Sequence, residues 1–212
     1  MTDIFDTSHE GKEIDIGEAL IKEGDEVNLF EHDPTLSKIA LAAGWDVNTF
    51  SGEEIDVDVS IFLLNRNQKT RNDNDFIFYN QPEALEGGIV HGGDSRVGFG
   101  DGDDETILIE LQKVPFDVLQ IPVVISIYKG FEKKQALDSM RRCYVRIINA
   151  DTGHELFRFN LTDIFKEHKE TGAIVGWINR EGPKWHFKAD LEYFSGGLGE
   201  IARSYDIIVN QE

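Results

Sequence analysis

Short segments in which apolar and polar residues alternate recur between residues 25 and 194 of this 212-residue sequence. They are rich in β-branched and aromatic residues and end at Gly, Asn, Asp or Pro, as β-strands do. Only two stretches, 131–140 and 196–205, have a helical pattern. We predict an all-β fold, an antiparallel two-sheet β-sandwich with short helical segments, including one near the C-terminus. The predicted strands are 25–30, 37–45, 55–65, 75–80, 105–112, 121–129, 143–149, 154–161, 174–180 and 184–194.

The domain organisation follows from what the sequence lacks. No internal repeat and no linker rich in Pro or Ser divides it, and hydrophobic residues make up 40% of the chain, which is enough for one core. We predict a single sandwich domain at 14–212, preceded by an N-terminal arm at 1–13 that is loosely attached.

The charge balance limits the partners. Forty acidic residues against 21 basic ones give a net charge of −19, so the basic surface that nucleic acid binding needs is not expected. The first twenty residues lack the apolar core of a secretory signal, and no apolar run is long enough to span a bilayer. The one cysteine, Cys143, cannot form an internal disulfide and is typical of a reducing compartment. We expect a soluble cytoplasmic protein.

The acidic residues are densest in a segment that cannot form a regular element, HGGDSRVGFGDGDDE at 91–105. Because glycine permits sharp reversals and positive φ, the carboxylates and carbonyls of such a loop can converge on one point. A solvated acidic turn is the alternative, since water and salt screen the repulsion. The five carboxylates of this segment are Asp94, Asp101, Asp103, Asp104 and Glu105.

A second acidic site is the strand IDVDVSIF at 55–62. Side chains alternate along a strand, so Asp56, Asp58 and Ser60 share one face of a segment that is otherwise apolar. A buried carboxylate needs a cation, hydrogen bonds or a metal. Six to eight oxygen ligands suit Ca²⁺, and the lack of His and Cys within 92–105 disfavours zinc and copper.

At this point the residues resemble the TerD-type family of tellurium-resistance and calcium-binding stress proteins. GDSRVGFGDGDDE at 93–105 is similar to the family signature Gly-Asp-Asn-x-Thr-Gly-x-Gly-Asp-Gly-Asp-Asp-Glu, and the strand at 55–65 is similar to its Asp-x-Asp-x-Ser strand. Segments 24–46 and 185–207 resemble the opening and closing parts of the family domain. The resemblance covers about residues 14–209.

The resemblance implies a β-sandwich that binds Ca²⁺, usually two ions, in acidic loops at one end. It also implies a role in bacterial resistance to tellurite and other chemical stress, without enzymatic activity. Ser95, Val97 and Phe99 depart from the family pattern inside the loop, which leaves the calcium stoichiometry open and points to one weakened ion. The implied ligands are Asp56, Val57, Asp58, Asp94, Arg96, Asp101, Asp103, Asp104 and Glu105, with Val57 and Arg96 supplying main-chain oxygens.

Three functions remain open. The first is a non-catalytic calcium-binding module that acts through other proteins of a stress-resistance system. The second is a metal-dependent phosphoester hydrolase, although the sequence has no nucleophile elbow and no His-Glu-x-x-His motif. The third is a calcium-dependent phospholipid-binding module. Since only Arg96 flanks the acidic loop as a cation, membrane association is expected only indirectly or through bridging calcium.

Three further residues or segments carry minor predictions. Cys143 is expected to be a small core residue rather than a thiol that acts on tellurite. His91 is expected to be a turn residue, because calcium prefers oxygen ligands. The basic segment RRCYVR at 141–146 predicts a solvated strand edge.

Overall fold

The computed structural model describes residues 20–31, 33–47, 55–92 and 102–208, which contain fourteen strands and three short α-helices. The strands are β1 (Leu20–Ile21), β2 (Glu26–Asn28), β3 (Lys38–Val47), β4 (Val57–Phe62), β5 (Phe76–Ile77), β6 (Glu83–Ala84), β7 (Ile89–His91), β8 (Glu105–Glu110), β9 (Gln120–Ile127), β10 (Met140–Asn149), β11 (Glu155–Asn160), β12 (Gly172–Glu181), β13 (Lys184–Lys188) and β14 (Glu192–Phe194). The helices are α1 (Gly130–Lys133), α2 (Thr162–Phe165) and α3 (Gly197–Ser204), and 3-10 turns lie at Asp73–Asp75 and Leu137–Ser139.

These strands form two sheets. The order in the first sheet is β1-β11-β10-β3-β8-β7-β6, and the order in the second is β2-β13-β12-β9-β4-β5, with β14 also paired to β12. Within the described ranges every strand pair is antiparallel except β1 with β11. The predicted antiparallel two-sheet β-sandwich is confirmed.

Apolar side chains of both sheets fill the space between them and form the main core. β4 contributes Val59 and Ile61 to this core, whereas its Phe62 lies on the outer face of the second sheet. That outer face is covered by α3, whose Ile201 is fully buried against the sheet. β4 is buried on both faces, and its sequence is apolar apart from Asp58 and Ser60.

One predicted strand, 184–194, is divided in the structure. β13 pairs with the C-terminal part of β12 and β14 with its N-terminal part, and a β-bulge between Ile174 and Gly176 separates the two parts. A Cβ atom at Gly176 would lie 2.2 Å from the ring of Phe187, so this position of β12 accepts only glycine without movement of the ring.

The prediction of a strand edge at 141–146 is wrong. β10 lies between β11 and β3 inside the first sheet, and Arg146 on this strand is buried. Local sequence shows that 141–146 is basic, but it does not show which carboxylates from distant parts of the chain lie over the strand.

The segment 131–140, predicted as helical, contains only the single turn of α1 and the 3-10 turn before β10. The helical segment predicted at 196–205 is confirmed as α3. No helix in the described part of the chain is long and apolar enough to cross a membrane. The arm predicted at 1–13 lies outside the described residues.

The packing of α3 gives a stability prediction. Ile201→Ala should lower the free energy of unfolding by about 2–5 kcal/mol, because it leaves a cavity between α3 and the second sheet. Ile208→Ala is the matched control, since this isoleucine is 87% exposed and its truncation should change the value by no more than about 0.5 kcal/mol. Urea unfolding followed by circular dichroism measures both, and equal effects would contradict the packing described.

Candidate functional site

The described acidic residues that were predicted at a metal site lie near the starts of β4 and β8. Asp56 directly precedes β4, and its carbonyl oxygen accepts a hydrogen bond from the N–H of Tyr128, 2.8 Å away, just after β9 ends. Glu105 begins β8, and its side chain reaches the backbone of Val59 on β4. The start of β4, beside Asp56 and Asp58, is therefore bonded to Glu105 at the end of the acidic loop.

Along the start of β4, side chains alternate between the two faces of the strand as the sequence predicts, and both faces are buried. Val57 and Val59 belong to the core between the sheets, while Asp58 and Ser60 lie on the opposite face of the strand. Asp56 is exposed, but Asp58 is only 8% exposed. A carboxylate on this buried face needs a counter-charge, hydrogen bonds or a bound cation, because burial removes its contact with water.

Glu105 and His91 connect the two sheets. The backbone N–H of Val59 donates to Glu105 Oε2 at 2.6 Å, and His91 Nε2 lies 2.9 Å from the carbonyl oxygen of the same Val59. Since a carbonyl can only accept, His91 must carry its proton on Nε2. β5 pairs with β4 only at Ile61 and Phe62, so these two side chains supply the backbone partners that a longer β5 would have provided.

The pKa of His91 is lowered by burial, although its hydrogen bond to Val59 acts in the opposite direction. His91 Nε2 also lies 3.6 Å from Glu105 Oε2. A lowered pKa keeps the imidazole neutral at physiological pH. His91 is thus a buried bridging residue at the end of β7, and the prediction of a turn residue is wrong.

Asp104 fixes the entry into β8. Its backbone N–H donates to the carbonyl oxygen of Ala43 at 2.8 Å, which extends the ladder between β3 and β8 by one residue. Its side-chain Oδ2 accepts a hydrogen bond from the N–H of Trp45 at 2.7 Å. Asp104 is therefore held to β3 by both its backbone and its carboxylate.

Asp103 is held by an arginine that the sequence analysis did not assign to the site. Arg146 donates to both oxygens of Asp103, from Nε to Oδ1 at 3.0 Å and from Nη2 to Oδ2. The hydroxyl of Tyr144 lies 2.7 Å from Asp103 Oδ1 and 2.8 Å from the carbonyl oxygen of Gly102. The carboxylate is therefore engaged on both oxygens, in the paired geometry that suits a guanidinium.

The close approach of this turn to β3 explains the glycine at position 44. A Cβ atom there would lie 2.3 Å from the carbonyl oxygen of Gly102 and 2.5 Å from the hydroxyl of Tyr144. Gly102 itself has φ of +119°, a conformation that other residues rarely adopt. The two glycines let the turn carrying Asp103 lie against the first sheet.

Arg146 is the centre of a larger charged network. Its Nη1 donates to Glu155 at 2.6 Å, and Glu155 also accepts from Arg158, whose guanidinium lies 4.2 Å from the ring centroid of Tyr144. Burial alone would lower the pKa of Arg146, but its bonds to Asp103 and Glu155 outweigh this and raise the pKa. The guanidinium is thus permanently charged and the network neutralises much of its charge.

The structure directs the predicted ligands after the loop to different partners. Asp103 faces Arg146, Asp104 faces β3, and Glu105 faces the edge of β4. Among the described residues, no three His, Cys, Asp or Glu side chains form a group that could hold a metal ion. Asp94, Arg96 and Asp101 lie outside the described residues.

Comparison with known proteins identifies the domain. The sequence pattern of the TerD domain matches residues 18–205 of the chain. The chain belongs to the TerD domain family. General stress protein 16U of Bacillus subtilis (strain 168) is 38% identical over 190 residues, which cover 89% of this chain and 97% of that protein. Tellurium resistance protein TerD of Serratia marcescens is 34% identical over 187 residues, with coverage of 88% and 96%.

The solved structures agree with the TerD assignment at the level of fold. The crystal structure of a homologue of telluride resistance protein (TerD) from Streptomyces coelicolor A3(2) matches with a TM-score of 0.62 and 16% identity, over 79% of this chain and 95% of that chain. Another relative, chemical-damaging agent resistance protein B of Clostridium acetobutylicum, is 36% identical over 65% of this chain and 98% of its own length. The family is thus one of tellurium-resistance, chemical-resistance and stress-response proteins.

Arg146, Tyr144 and His91 are the site residues of this TerD domain that sequence reasoning missed. A signal existed for two of them, because Tyr144 and Arg146 alternate with the core residues Val145 and Ile147 and so must share the outer face of β10. An arginine at such a position in an acidic chain predicts an ion pair, but only the structure identifies Asp103 as its partner.

The network around Arg146 gives a second stability prediction. Arg146→Met should lower the free energy of unfolding by about 3 kcal/mol, since it leaves the buried Asp103 without its counter-charge. Arg142→Met on the same strand is the matched control, because the Arg142 side chain is 82% exposed although it contacts Asp46. This control should unfold as the parent chain does.

The measurement is urea unfolding in the presence of a chelator, so that metal binding does not contribute. Equal destabilisation by the two substitutions would show that Arg146 is not a buried support of the turn before β8.

Proposed function

We propose that this TerD domain is a non-catalytic calcium-binding β-sandwich module in bacterial resistance to tellurite and chemical stress, and that it acts in the cytoplasm through other proteins. The observation that carries the proposal is the bond from the N–H of Val59, next to Asp58 on β4, to Glu105 at the end of the acidic loop. The N–H of Gly92 bonds to the carbonyl oxygen of Thr106 at 2.7 Å, next to Glu105. The chain between Gly92 and Gly102 thus leaves and rejoins the sandwich at this end.

The chemistry of the available donors supports calcium. This end of the sandwich supplies carboxylate and carbonyl oxygens, and the nearby His91 bonds to Val59 instead. Calcium takes six to eight oxygen ligands, more than Asp56 and Asp58 alone provide. We therefore assign the remaining ligands to the acidic loop. The proposed set is Asp56, the carbonyl of Val57, Asp58, Asp94, the carbonyl of Arg96 and Asp101.

The three acids that follow the loop have a different role in this proposal. Asp103 is fully engaged by Arg146 and Tyr144, so we assign it to holding the turn rather than to ligating the ion. The carboxylates of Asp104 and Glu105 accept hydrogen bonds from the backbone N–H groups of Trp45 and Val59. A metal-binding carboxylate commonly accepts such a bond as well, and both residues stay in the proposed ligand set for a second, weaker ion.

A bound cation would neutralise negative charge at this end. Because the cation would bind the folded chain and not the unfolded chain, it would raise the free energy of unfolding. We propose that this calcium-dependent change in stability and charge is recognised by a protein partner.

A hydrolytic function is less well supported, because the buried His91 is engaged with Val59 and is not positioned as a general base. Cys143 is buried, as predicted, and burial followed by the charge of Asp104 raises its pKa, which disfavours a reactive thiolate.

Calorimetric titration of metal-free protein with Ca²⁺ tests the proposal. At a free calcium concentration of about one hundred times Kd, binding should raise the free energy of unfolding by about 2.7 kcal/mol and raise Tm accordingly. Asp101→Asn should abolish most of the titration heat and of the Tm increase. Asp163→Asn is the matched control, because this aspartate is exposed on α2 and pairs only locally with Lys166.

Asp103→Asn separates the two proposed roles of the acidic residues. It should destabilise the chain even in chelator, whereas Asp101→Asn should leave stability in chelator unchanged. If metal-free protein gave no titration heat with Ca²⁺ and an unchanged melting curve, the calcium proposal would be wrong.

A further inference from the structure

A small basic and aromatic surface adjoins the acidic end of the sandwich. It consists of residues 128–134, YKGFEKK, which include the single turn of α1, and we call it the basic lip. Its lysines are Lys129, Lys133 and Lys134, and Glu132 is the one acidic residue among them. Phe131 is 80% exposed. On a chain with a net charge of −19, three cations beside an exposed aromatic ring are unexpected.

The basic lip is held in a defined conformation. Gly130 is buried, and a Cβ atom there would lie 3.0 Å from the carbonyl oxygen of Gln135. The N–H of Gln135 donates back to the carbonyl oxygen of Gly130 at 2.8 Å, which closes the turn. Lys129 and Lys134 at its two ends have positive φ values of 53° and 55°. The turn therefore has a defined backbone conformation, and the side chain of Phe131 on it is exposed.

The lysines of the basic lip are grouped around an aromatic ring. The ammonium groups of Lys129 and Lys133 lie 5.2 Å and 5.4 Å from the ring centroid of Tyr128. Tyr128 packs edge-on against Tyr79, with 6.1 Å between their ring centroids, and both tyrosines are partly exposed. This mixture of cations, tyrosine rings and one protruding phenylalanine has the composition of a membrane-interface surface.

We propose that the basic lip docks on an anionic lipid surface, with Phe131 inserted among the lipid headgroups and Lys129, Lys133 and Lys134 facing their phosphates and carboxylates. Carboxylates farther from the lip than the screening length of about 8 Å at physiological salt contribute little. Asp56, next to Tyr128, opposes docking but is outnumbered by the three lysines of the lip. The proposal goes beyond calcium binding and needs no bound ion.

The size of the basic lip favours a membrane over a protein partner. A stable protein interface buries about 800 Å² on each side, which a single exposed turn of helix cannot supply. An anionic bilayer needs less, because each lysine near its surface improves partitioning by about five-fold and an inserted aromatic ring adds to this. From the sequence alone we expected only indirect or calcium-bridged contact with a membrane, because Arg96 is the one cation that flanks the acidic loop.

Vesicle co-sedimentation tests the proposal with the full chain in excess calcium and again in chelator. The chain should bind vesicles of phosphatidylcholine and phosphatidylserine more tightly than vesicles of phosphatidylcholine alone. The triple variant Lys129→Gln/Lys133→Gln/Lys134→Gln should bind the anionic vesicles roughly one hundred-fold more weakly, and Phe131→Ala at least about ten-fold more weakly.

The matched control is Lys113→Gln/Phe116→Ala. It removes an exposed lysine and a phenylalanine that is 90% exposed, but from the β8–β9 loop at the opposite end of the sandwich. The control should bind vesicles as the parent chain does, and circular dichroism should show that all variants are folded.

Several results would overturn the proposal. They are absence of parent-chain binding in chelator, whether or not calcium restores it, equal binding to neutral and anionic vesicles, and equal losses in the lip variants and the control. Pairing of the lip with an acidic protein, without vesicle binding, would assign the surface to that partner instead. The lip variants should keep the calcium titration of the parent chain, so failure of the calcium proposal is detected by a separate measurement.

Discussion

An ion pair and hydrogen bonds to three successive carboxylates organise one end of the sandwich. Asp103, Asp104 and Glu105 follow one another in sequence, yet each is bound by a different strand. Asp103 pairs with Arg146 on β10, Asp104 accepts from Trp45 on β3, and Glu105 accepts from Val59 on β4. Three like charges are thereby separated, and the start of β8 is tied to both sheets. The acidic sequence is thus part of what holds the fold together.

The same arrangement explains why the proposed cation binding would be linked to structure. β4 is buried on both faces, and its Val59 backbone is completed by His91 and Glu105 instead of by a neighbouring strand. Asp58, one residue before Val59, is placed by this connection. The basic lip begins where β9, the strand paired with β4, ends. Its first residue, Tyr128, donates its N–H to the carbonyl oxygen of Asp56. Acidic and basic surfaces therefore adjoin each other at this end.

The sequence predicted the fold class well, because alternation along a strand is a local property. It indicated the two faces of β4, the position of α3 and the burial of Cys143, since each depends on a run of neighbouring residues. It did not predict the division of 184–194 into β13 and β14, which pair with different parts of β12. It also missed the pairing of Arg146 with Asp103, which joins residues 43 positions apart. The sequence did not predict the basic lip as a binding surface, because its three lysines are few beside the net charge of −19 and lie far in sequence from the acidic loop.

The most direct test is a crystal structure of the chain grown in calcium, with anomalous diffraction data that locate the ion. We expect a calcium peak bounded by Asp56 and Asp58 on one side and by the loop carrying Asp94 and Asp101 on the other, while Arg146 still binds Asp103. A peak ligated by Asp103 with Arg146 turned away, or no peak beside Asp58, would contradict this account of the acidic end.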